Sequence, residues 1–427
     1  MKSILKKIIS SILIWESKAI LKKYKPSIIA VTGTVGKTST KDAIYTVLSS
    51  SEHVRKSEKS FNSEIGVPLT IIGCPNGWSD PLTWISNILQ GLELIFFKSD
   101  YPKCLVLEVG ADHPGDIESI SKWLKTDISI ITKVGDVPVH VEFFPTPADV
   151  LREKSFLIKA LKPEGSLVLY ADDKKVSALA KDVKQTVYSF GLTEMATVTA
   201  SNPSITYDDM KLPSGIAFKL NYKGNSIPMK LAGVLGNQQI YPIIAAATVG
   251  IIRNIPINKI VDSFEKHIFF FFFMNVITGI NRSVIIDDSY NSSPDAVREG
   301  LNTLASLQVA GKRIAVLGDM LELGNFSMEE HRKAGVQALQ SCDLLVTVGQ
   351  RAKIMGNENT VSFDTSIEAG EYLNGIVGEG DVVFVKGSQS MRMERVTKAI
   401  MLESDNAAKY LVRQEEEWLA CYRNLLL

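Results

Sequence analysis

The stretch VTGTVGKTST, residues 31–40, decides the fold of this chain. The usual phosphate loop begins with a glycine where this chain has Val31, but Gly33 and Gly36 remain between an apolar strand-like run and a helical pattern. Glycines let backbone N–H groups turn inward, and a helix N-terminus favours an anion. Lys37 adds a cation and Thr38 a hydroxyl for Mg²⁺. The stretch therefore predicts a loop that binds ATP or GTP, with an ordinary glycine-containing turn as the alternative.

The length and charge of the chain restrict its class. A chain of 427 residues predicts two or three domains. Lys plus Arg and Asp plus Glu both number 47, so no global charge favours binding to nucleic acid. The four cysteines lack CxxC spacing, which indicates neither a zinc site nor a disulfide framework and is typical of a reducing cytoplasm.

Residues 1–26 have the pattern of an amphipathic N-terminal helix. Ile4, Ile8 and Ile12 recur at a spacing of four, and lysines flank this stripe. Lysines also interrupt the apolar run, so we expect neither a signal peptide nor a spanning helix. Two interpretations stay open: a helix docked on the next domain, or a peripheral contact with an anionic membrane.

Apolar strand-like runs alternate with helical patterns through most of the chain. The runs SIIAV, KCLVLEV, DISIITKV and SLVLYA predict a parallel sheet that gathers ligands at the carboxyl ends of its strands. Residues 186–232 alternate with the period of antiparallel strands. A second series, SVIIDDSY, RIAVLGDM, CDLLVTVG and DVVFVKGS, begins after about residue 275. We therefore expect an α/β fold: a central P-loop ATPase domain with a mostly parallel sheet, residues 27–266, and a C-terminal Rossmann-like α/β domain, residues 267–427.

Two candidate metal ligands follow strands of the first series. Glu108 ends KCLVLEV, so it should lie beside the phosphate loop at the same edge of the sheet, where a carboxylate can bind Mg²⁺. A solvated loop acid is the alternative. His140 lies in the loop after DISIITKV, and its position alone makes it a candidate.

Lys154 interrupts the apolar stripe of a predicted helix. Thr146 and Pro147 have the pattern of a helix start, and the helix should run to about residue 161. Lys154 shares its apolar face, whereas Glu153 should point elsewhere into solvent. Desolvation lowers the pKa of a lysine, and its neutral amine can act as a nucleophile or take up CO₂ to form a metal-binding carbamate. A snorkelling lysine is the alternative.

Polar groups also follow two strands of the second series. Asp288 and Asn291 come after SVIID, and Lys386, Ser388 and Arg392 come at or after the end of DVVFVK. Ribose, phosphate or a carboxylate could bind such groups.

Several stretches together resemble the Mur ligases, the ATP-dependent amide-forming enzymes of peptidoglycan precursor synthesis. The matching stretches, spread over residues 33–394, are GTVGKTSTK, FNSEIGVPLTII, LEVGADHPGDI, HVEFF, REKSF, IIDDSYNSSPDAV, RIAVLGDMLELG and VKGSQSMRME. The resemblance implies that ATP phosphorylates a substrate carboxylate and that an amine then attacks the acyl phosphate. It also implies a muropeptide-like nucleotide substrate and an amine donor such as D-alanyl-D-alanine.

The resemblance assigns roles to the candidate residues. It implies that Lys37 holds the β- and γ-phosphates, that Thr38 and Glu108 bind one Mg²⁺, and that His140 and a carbamylated Lys154 serve a second Mg²⁺. Further nucleotide contacts are implied for Gly33, Thr34, Gly36, Ser39, Asn237, Asp288 and Asn291, and substrate contacts for Asn62, Lys386, Ser388 and Arg392.

Four features depart from the family pattern, and one is the loop from Thr132 to His140, which is longer than usual and weakens the assignment of His140. Family members carry a UDP-binding domain before the phosphate loop, and here we expect only about one helix in its place. The family's GxHNxxN stretch becomes GNQQIYP, residues 236–242, so adenine contacts should differ. Five phenylalanines, residues 269–273, occupy a place where the family tends to have a turn with an arginine. These departures leave a degenerate nucleotide-binding scaffold or partner protein as the alternative to an active ligase.

Overall fold

The computed structural model describes residues 2–58, 61–78, 80–265, 273–415 and 418, and the structure below is that of these residues. They form two sheets with flanking helices, which confirms the α/β class. The predicted boundary between residues 266 and 267 lies outside the described residues and stays a prediction. Residues 269–272 of the phenylalanine run also lie outside them.

The first sheet carries nine strands within the described residues. They are β1 (Ser27–Thr32), β2 (Val54–Lys56), β3 (Cys104–Glu108), β4 (Thr126–Ile131), β5 (Leu161–Tyr170), β6 (Thr186–Gly191), β7 (Val198–Tyr207), β8 (Pro213–Tyr222) and β9 (Asn225–Ala232). The helices of this part are α1 (Lys2–Tyr24), α2 (Lys37–Ser49), α3 (Gly66–Ile72), α4 (Pro81–Phe96), α5 (Asp116–Ser121), α6 (Pro147–Lys159), α7 (Lys174–Ser177), α8 (Ile240–Ile252) and α9 (Ile257–Glu265).

The order of the first sheet is β2-β3-β1-β4-β5-β6-β7-β8-β9. Strand β1 pairs in parallel with β3 and β4, so the carboxyl ends of these three strands meet at one edge. The phosphate loop follows β1, and Glu108 ends β3 at that edge. Strand β7 pairs antiparallel with β8, and β8 with β9, as the alternation of residues 186–232 predicts. For β6 the prediction was wrong, because this strand pairs in parallel with β5 and β7 and continues the parallel part of the sheet.

The two faces of the first sheet pack against different helices. Ile29 and Val31 of β1 belong to the core on the side of α2 and α8, and Ile28 and Ala30 to the core on the side of α1, α3 and α6. Successive strand residues point to opposite faces, which explains this division. Leu157 of α6 is buried in the second of these cores, and this packing fixes the face of α6 that turns inward.

Helix α1 docks on the first domain through its inner face. Leu13 and Ile20 are buried, and Lys23 Nζ donates hydrogen bonds to the carbonyl oxygens of Leu94 (2.9 Å) and Ile95 (3.1 Å) at the end of α4. A cation at these carbonyls is favourable because the last turn of a helix leaves its acceptors unpaired. Among the described residues, no helix has the length and apolar character needed to cross a bilayer.

The second sheet contains six strands in the part of the chain that the structure describes. They are β10 (Asn275–Thr278), β11 (Val284–Asp288), β12 (Arg313–Gly318), β13 (Leu344–Val348), β14 (Val361–Phe363) and β15 (Val382–Lys386), in the order β10-β11-β15-β12-β13-β14. Only β10 runs antiparallel to its neighbour. The associated helices are α10 (Pro294–Ser306), α11 (Ser327–Ser341), α12 (Ser366–Ile376), α13 (Glu394–Ile400) and α14 (Ala407–Tyr410). The four strands expected in this region are confirmed, and the short strands β10 and β14 add to the sheet at its two edges.

Candidate active site

The phosphate loop is held against the end of β4. The backbone N–H groups of Thr34 and Val35 donate to the carbonyl oxygen of Lys133, at 2.9 and 3.1 Å. Gly33 has φ +146°, and a Cβ at this position would lie 1.9 Å from Thr132 Oγ1. Gly36 has φ +83° immediately before α2. Both glycines are therefore required by the backbone, which presents the N-terminus of α2 to the cavity.

A hydroxyl and a carboxylate meet next to this loop. Thr38 Oγ1 donates to Glu108 Oε2 at 2.9 Å, and Asn62 Nδ2 donates to Glu108 Oε1 at 3.2 Å. Lys41 Nζ lies 3.8 Å from Glu108 Oε2, and Glu108 is 1% exposed. Mg²⁺ prefers oxygen ligands and takes one or two from protein when phosphates and water supply the rest. Thr38 and Glu108 therefore fit a nucleotide-bound Mg²⁺.

Two lysines next to this cluster have lowered pKa values. Burial lowers the pKa of Lys37, and the nearby carboxylates of Glu108 and Asp112 oppose the shift. Lys154 is 2% exposed on α6, and burial together with the charge of Lys37 lowers its pKa to about 7. The expectation that Lys154 is desolvated agrees with this burial. At neutral pH a substantial fraction of its amine is therefore uncharged, which is the form that reacts with CO₂.

A cavity of about 380 Å³ lies between the two sheets. The first sheet and its loops contribute most of the predicted site, and the second sheet contributes Asp288, Asn291 and Lys386. Lys386 Nζ lies 2.5 Å from Asp288 Oδ2 and donates to the carbonyl oxygen of Asn291 at 2.9 Å. The predicted residues that line the cavity are Thr34, Gly36, Lys37, Thr38, Ser39, Asn62, Glu108, His140, Asp288, Asn291 and Lys386.

Aromatic side chains form part of the cavity wall. The rings of Tyr170 and Tyr241 meet edge to face at 4.8 Å, and those of Phe273 and Tyr290 at 5.1 Å. The side-chain amide of Gln238 is buried there, and neither its oxygen nor its nitrogen has a hydrogen-bond partner among the described residues. Aromatic side chains, together with one amide that lacks hydrogen-bond partners, suit a planar nucleobase, because the nucleobase carries hydrogen-bond donors and acceptors. The cavity thus fits a purine nucleotide with its phosphates at the N-terminus of α2.

Comparison with known sequence families accounts for this arrangement. Residues 31–250 match the Mur ligase middle domain, and residues 274–389 match the family described as Mur ligase, glutamate ligase domain. The chain belongs to the Mur ligase family. This confirms the resemblance seen in the sequence motifs, and the chain is an ATP-dependent ligase of the Mur type.

Individual relatives of this Mur ligase point in the same direction. UDP-N-acetylmuramoyl-tripeptide–D-alanyl-D-alanine ligase of Bacillus subtilis is 25% identical over 394 residues, which cover 90% of this chain and 78% of the relative. The ligase of the same name from Buchnera aphidicola of Acyrthosiphon pisum is 28% identical over 398 residues, with coverage of 90% and 78%. The crystal structure of MurF ligase from Thermotoga maritima with ADP superposes with a TM-score of 0.76 at 25% identity, covering 94% of this chain and 84% of that one.

His140 of this Mur ligase bridges the two sheets. Its Nδ1 atom lies 2.7 Å from Glu322 Oε2, and its Nε2 atom lies 3.5 Å from Asp112 Oδ1. The contact with His140 is the main reason that the pKa of Glu322 lies below its usual value. In this conformation the imidazole joins a loop of the first domain to the loop after β12. The metal-binding role of His140 stays a prediction.

Five predicted residues do not line the cavity: Gly33 and Lys154, described above, and three others. Asn237 is exposed beside Gln238. Ser388 Oγ accepts a hydrogen bond from Leu321 N at 2.9 Å, and Arg392 Nε lies 2.5 Å from Glu394 Oε1. Ser388 and Arg392 therefore hold the turn after β15 in this conformation, and the binding roles of all three residues stay predictions.

Glu153 differs from its sequence interpretation. It is buried, and its carboxylate accepts hydrogen bonds from the backbone N–H groups of Gly115 (2.9 Å), Ile117 (2.7 Å) and Glu118 (3.1 Å). The first N–H groups of a helix have no partner within the helix, so a carboxylate from α6 satisfies those of α5. The expectation of a solvated side chain was wrong because partners distant in sequence stabilise its charge. Glu153 also fixes the face of α6 next to Lys154.

We expect Glu153→Ala to destabilise the fold by about 2–4 kcal/mol, because it leaves three N–H groups without their acceptor. Glu153→Gln keeps one acceptor oxygen and should cost less. Urea unfolding measures both, with Glu164→Ala as the matched control, since Glu164 is exposed. Equal stability of Glu153→Ala and Glu164→Ala would contradict this account.

The orphaned amide of Gln238 predicts a nucleotide contact. We expect Gln238→Leu to weaken ATP binding by about tenfold, because one or two hydrogen bonds to the base are lost. The same change should leave the nucleotide-free protein as stable or more stable, because it removes a buried polar group without a partner. Calorimetric titration and thermal melts measure both effects.

Asn237→Leu is the matched control for Gln238→Leu, since Asn237 is its exposed neighbour. If Asn237 contacts the base, as the family resemblance implies, the larger loss of affinity will fall on Asn237→Leu. That result would contradict the role of Gln238.

Proposed function

We propose that this Mur ligase joins D-alanyl-D-alanine to the free carboxylate of a UDP-N-acetylmuramoyl-tripeptide, with ATP converted to ADP and phosphate. The names of its relatives supply the substrate pair. The observation that carries the proposal is the cavity between the sheets, which unites the phosphate loop, the Thr38–Glu108 pair and residues of the second sheet.

The proposed reaction has two steps, and in both the bonds form between substrates and not with protein side chains. A carboxylate oxygen of the tripeptide attacks the γ-phosphorus of ATP, and ADP leaves. The amine of the dipeptide then attacks the acyl carbon, loses a proton and expels phosphate, which leaves an amide. Lys37 and the N-terminal N–H groups of α2 hold the phosphates in line, which is the main catalytic contribution in such transfers.

The metal and carbamate assignments are part of this proposal. Thr38 and Glu108 would hold one Mg²⁺, and His140 and a carbamylated Lys154 a second. Bound Mg²⁺ supplies charge neutralisation at the phosphates. The carbamate is supported by the buried amine of Lys154, whose pKa of about 7 leaves it uncharged above neutral pH. We also place the reaction in the cytoplasm, where ATP is available and thiols such as Cys74 and Cys342 remain free.

The test is a coupled assay on the full chain with ATP, Mg²⁺, UDP-N-acetylmuramoyl-tripeptide and D-alanyl-D-alanine. We expect phosphate release only when both substrates are present, and a pentapeptide product in equal amount by mass spectrometry. ATP binding without phosphate release under any substrate pair would instead favour the nucleotide-binding scaffold. Turnover with a different amine would retain the ligase and correct its substrate.

A further inference from the structure

Helix α4 leaves an apolar face uncovered. Leu82, Leu89 and Phe96 are 74%, 59% and 73% exposed, and Ile85 lies between them at helical spacing. The opposite face carries Gly91 and Leu94, which are buried. A helix that buries one side and exposes large apolar residues on the other leaves a surface that water disfavours.

Helix α1, which contacts the buried side of α4, also carries exposed apolar side chains. Trp15 is 54% exposed and Ile8 is exposed on the same helix. The two helices touch at Glu16 and Gly91, where a Cβ on Gly91 would lie 2.3 Å from Glu16 Oε2. Leu89 lies on the side of α4 opposite Gly91, so the exposed apolar residues of α4 point away from this contact, whereas Trp15 lies beside it on α1. We call the exposed apolar residues of the two helices, together with Phe97 after α4, the α1–α4 face: Ile8, Trp15, Leu82, Ile85, Leu89, Phe96 and Phe97.

Basic charge is concentrated beside this face. Residues 2–25 contain seven lysines and one acid, Glu16, although the whole chain has a formal net charge of zero. Lys7, Lys18 and Lys22 are exposed, whereas Glu16 is buried and its burial raises its pKa to about 7. Exposed acids also lie on and near α4: Glu93 on the helix, and Asp80 and Asp100 near its two ends. The α1–α4 face therefore combines aromatic and aliphatic side chains with positive charge that lies mainly on α1.

We propose that the α1–α4 face docks on the surface of an anionic phospholipid bilayer. Tryptophan and phenylalanine favour the boundary between headgroups and acyl chains, and lysines on the rim of such a face pair with lipid phosphates. The contact is peripheral, because among the described residues no helix can cross the bilayer. The excess of lysines favours an anionic lipid surface over an apolar protein partner or a second copy of the chain, because contact with either of these does not require positive charge.

The test is sedimentation of the full chain with vesicles. Vesicles of phosphatidylcholine mixed with phosphatidylglycerol should bind the protein, and vesicles of phosphatidylcholine alone should bind it far less. The double substitution Leu89→Ser/Phe96→Ser should lower the partition coefficient by about tenfold or more, because it removes two inserted apolar side chains. Lys18→Glu/Lys22→Glu should lower the partition coefficient by a similar factor at low ionic strength. At high ionic strength this second effect should disappear, because salt screens the attraction between lysines and lipid phosphates.

Matched controls lie on other surfaces. Val336→Ser/Leu339→Ser changes two exposed apolar residues of α11, and Lys398→Glu changes an exposed lysine of α13; neither should alter vesicle binding. Circular dichroism shows whether each variant keeps its fold.

Failure of the unaltered protein to bind anionic vesicles would overturn the proposal, as would equal losses in the controls. The unaltered protein could instead form an oligomer and not bind vesicles. If Leu89→Ser/Phe96→Ser then dissociates that oligomer, the face is assigned to a contact with a second copy of the chain. All of these outcomes are independent of the ligase assay.

Discussion

Lys37→Ala is expected to lose most of both ATP binding and turnover. Lys37 lies at the first position of α2, and its Nζ atom is held 3.3 Å from the carbonyl oxygen of Thr34 within the phosphate loop. A cation here contacts the nucleotide before and during phosphoryl transfer, so ATP affinity should fall by about tenfold or more and the rate by about 10²-fold or more. Calorimetric titration measures the affinity, and phosphate release measures the rate.

Lys219→Ala serves as the control for this substitution, because Lys219 is exposed on β8. It should leave both quantities unchanged. Unaltered ATP affinity in Lys37→Ala would mean that the loop binds a different ligand, and the assignment of the nucleotide phosphates to the N-terminus of α2 would then fail.

Lys154→Ala is expected to separate turnover from ATP binding. Its rate should fall by about 10²-fold or more if the carbamate helps to position Mg²⁺ for acyl transfer, whereas ATP affinity should change by less than about threefold. Lys154→Arg should be equally inactive, because a guanidinium stays charged and forms no carbamate. Lys159→Ala, at an exposed position of the same helix, should behave as the unaltered protein.

The lowered pKa of Lys154 also predicts a pH dependence. The pKa lies at about 7, below the ordinary value of 10.5, so the amine is mostly protonated below pH 7 and mostly neutral above it. Only the neutral amine takes up CO₂, so activity should rise through pH 7 and should fall in CO₂-depleted buffer until bicarbonate is added. Near-normal turnover of Lys154→Ala would show that the carbamate assignment is wrong.

Much of the fold and part of the site could be predicted from local sequence. The phosphate loop could be predicted from Gly33 and Gly36, because both have a positive φ that other residues rarely adopt. Lys154 could be placed inside because it recurs with apolar residues at helical spacing, and Thr146 caps that helix as its pattern predicts. Such features depend on neighbours within a few residues.

Features that depend on distant partners could not be predicted in this way. Glu153 is buried because it caps a helix about 35 residues before it in sequence, and His140 meets Glu322 from the other domain. The choice between Asn237 and Gln238 depends on which side of one short turn faces the cavity. No periodicity encodes these contacts, because each arises from packing between separate elements.

Labelling with oxygen-18 tests whether the protein activates a carboxylate through an acyl phosphate. The tripeptide carboxylate is labelled, and the phosphate released with D-alanyl-D-alanine present is analysed by mass spectrometry. In the proposed reaction a labelled carboxylate oxygen attacks ATP and leaves with phosphate, so each phosphate carries one labelled oxygen and the new amide keeps the other. Unlabelled phosphate released together with product would contradict this, because the carboxylate would never have been phosphorylated.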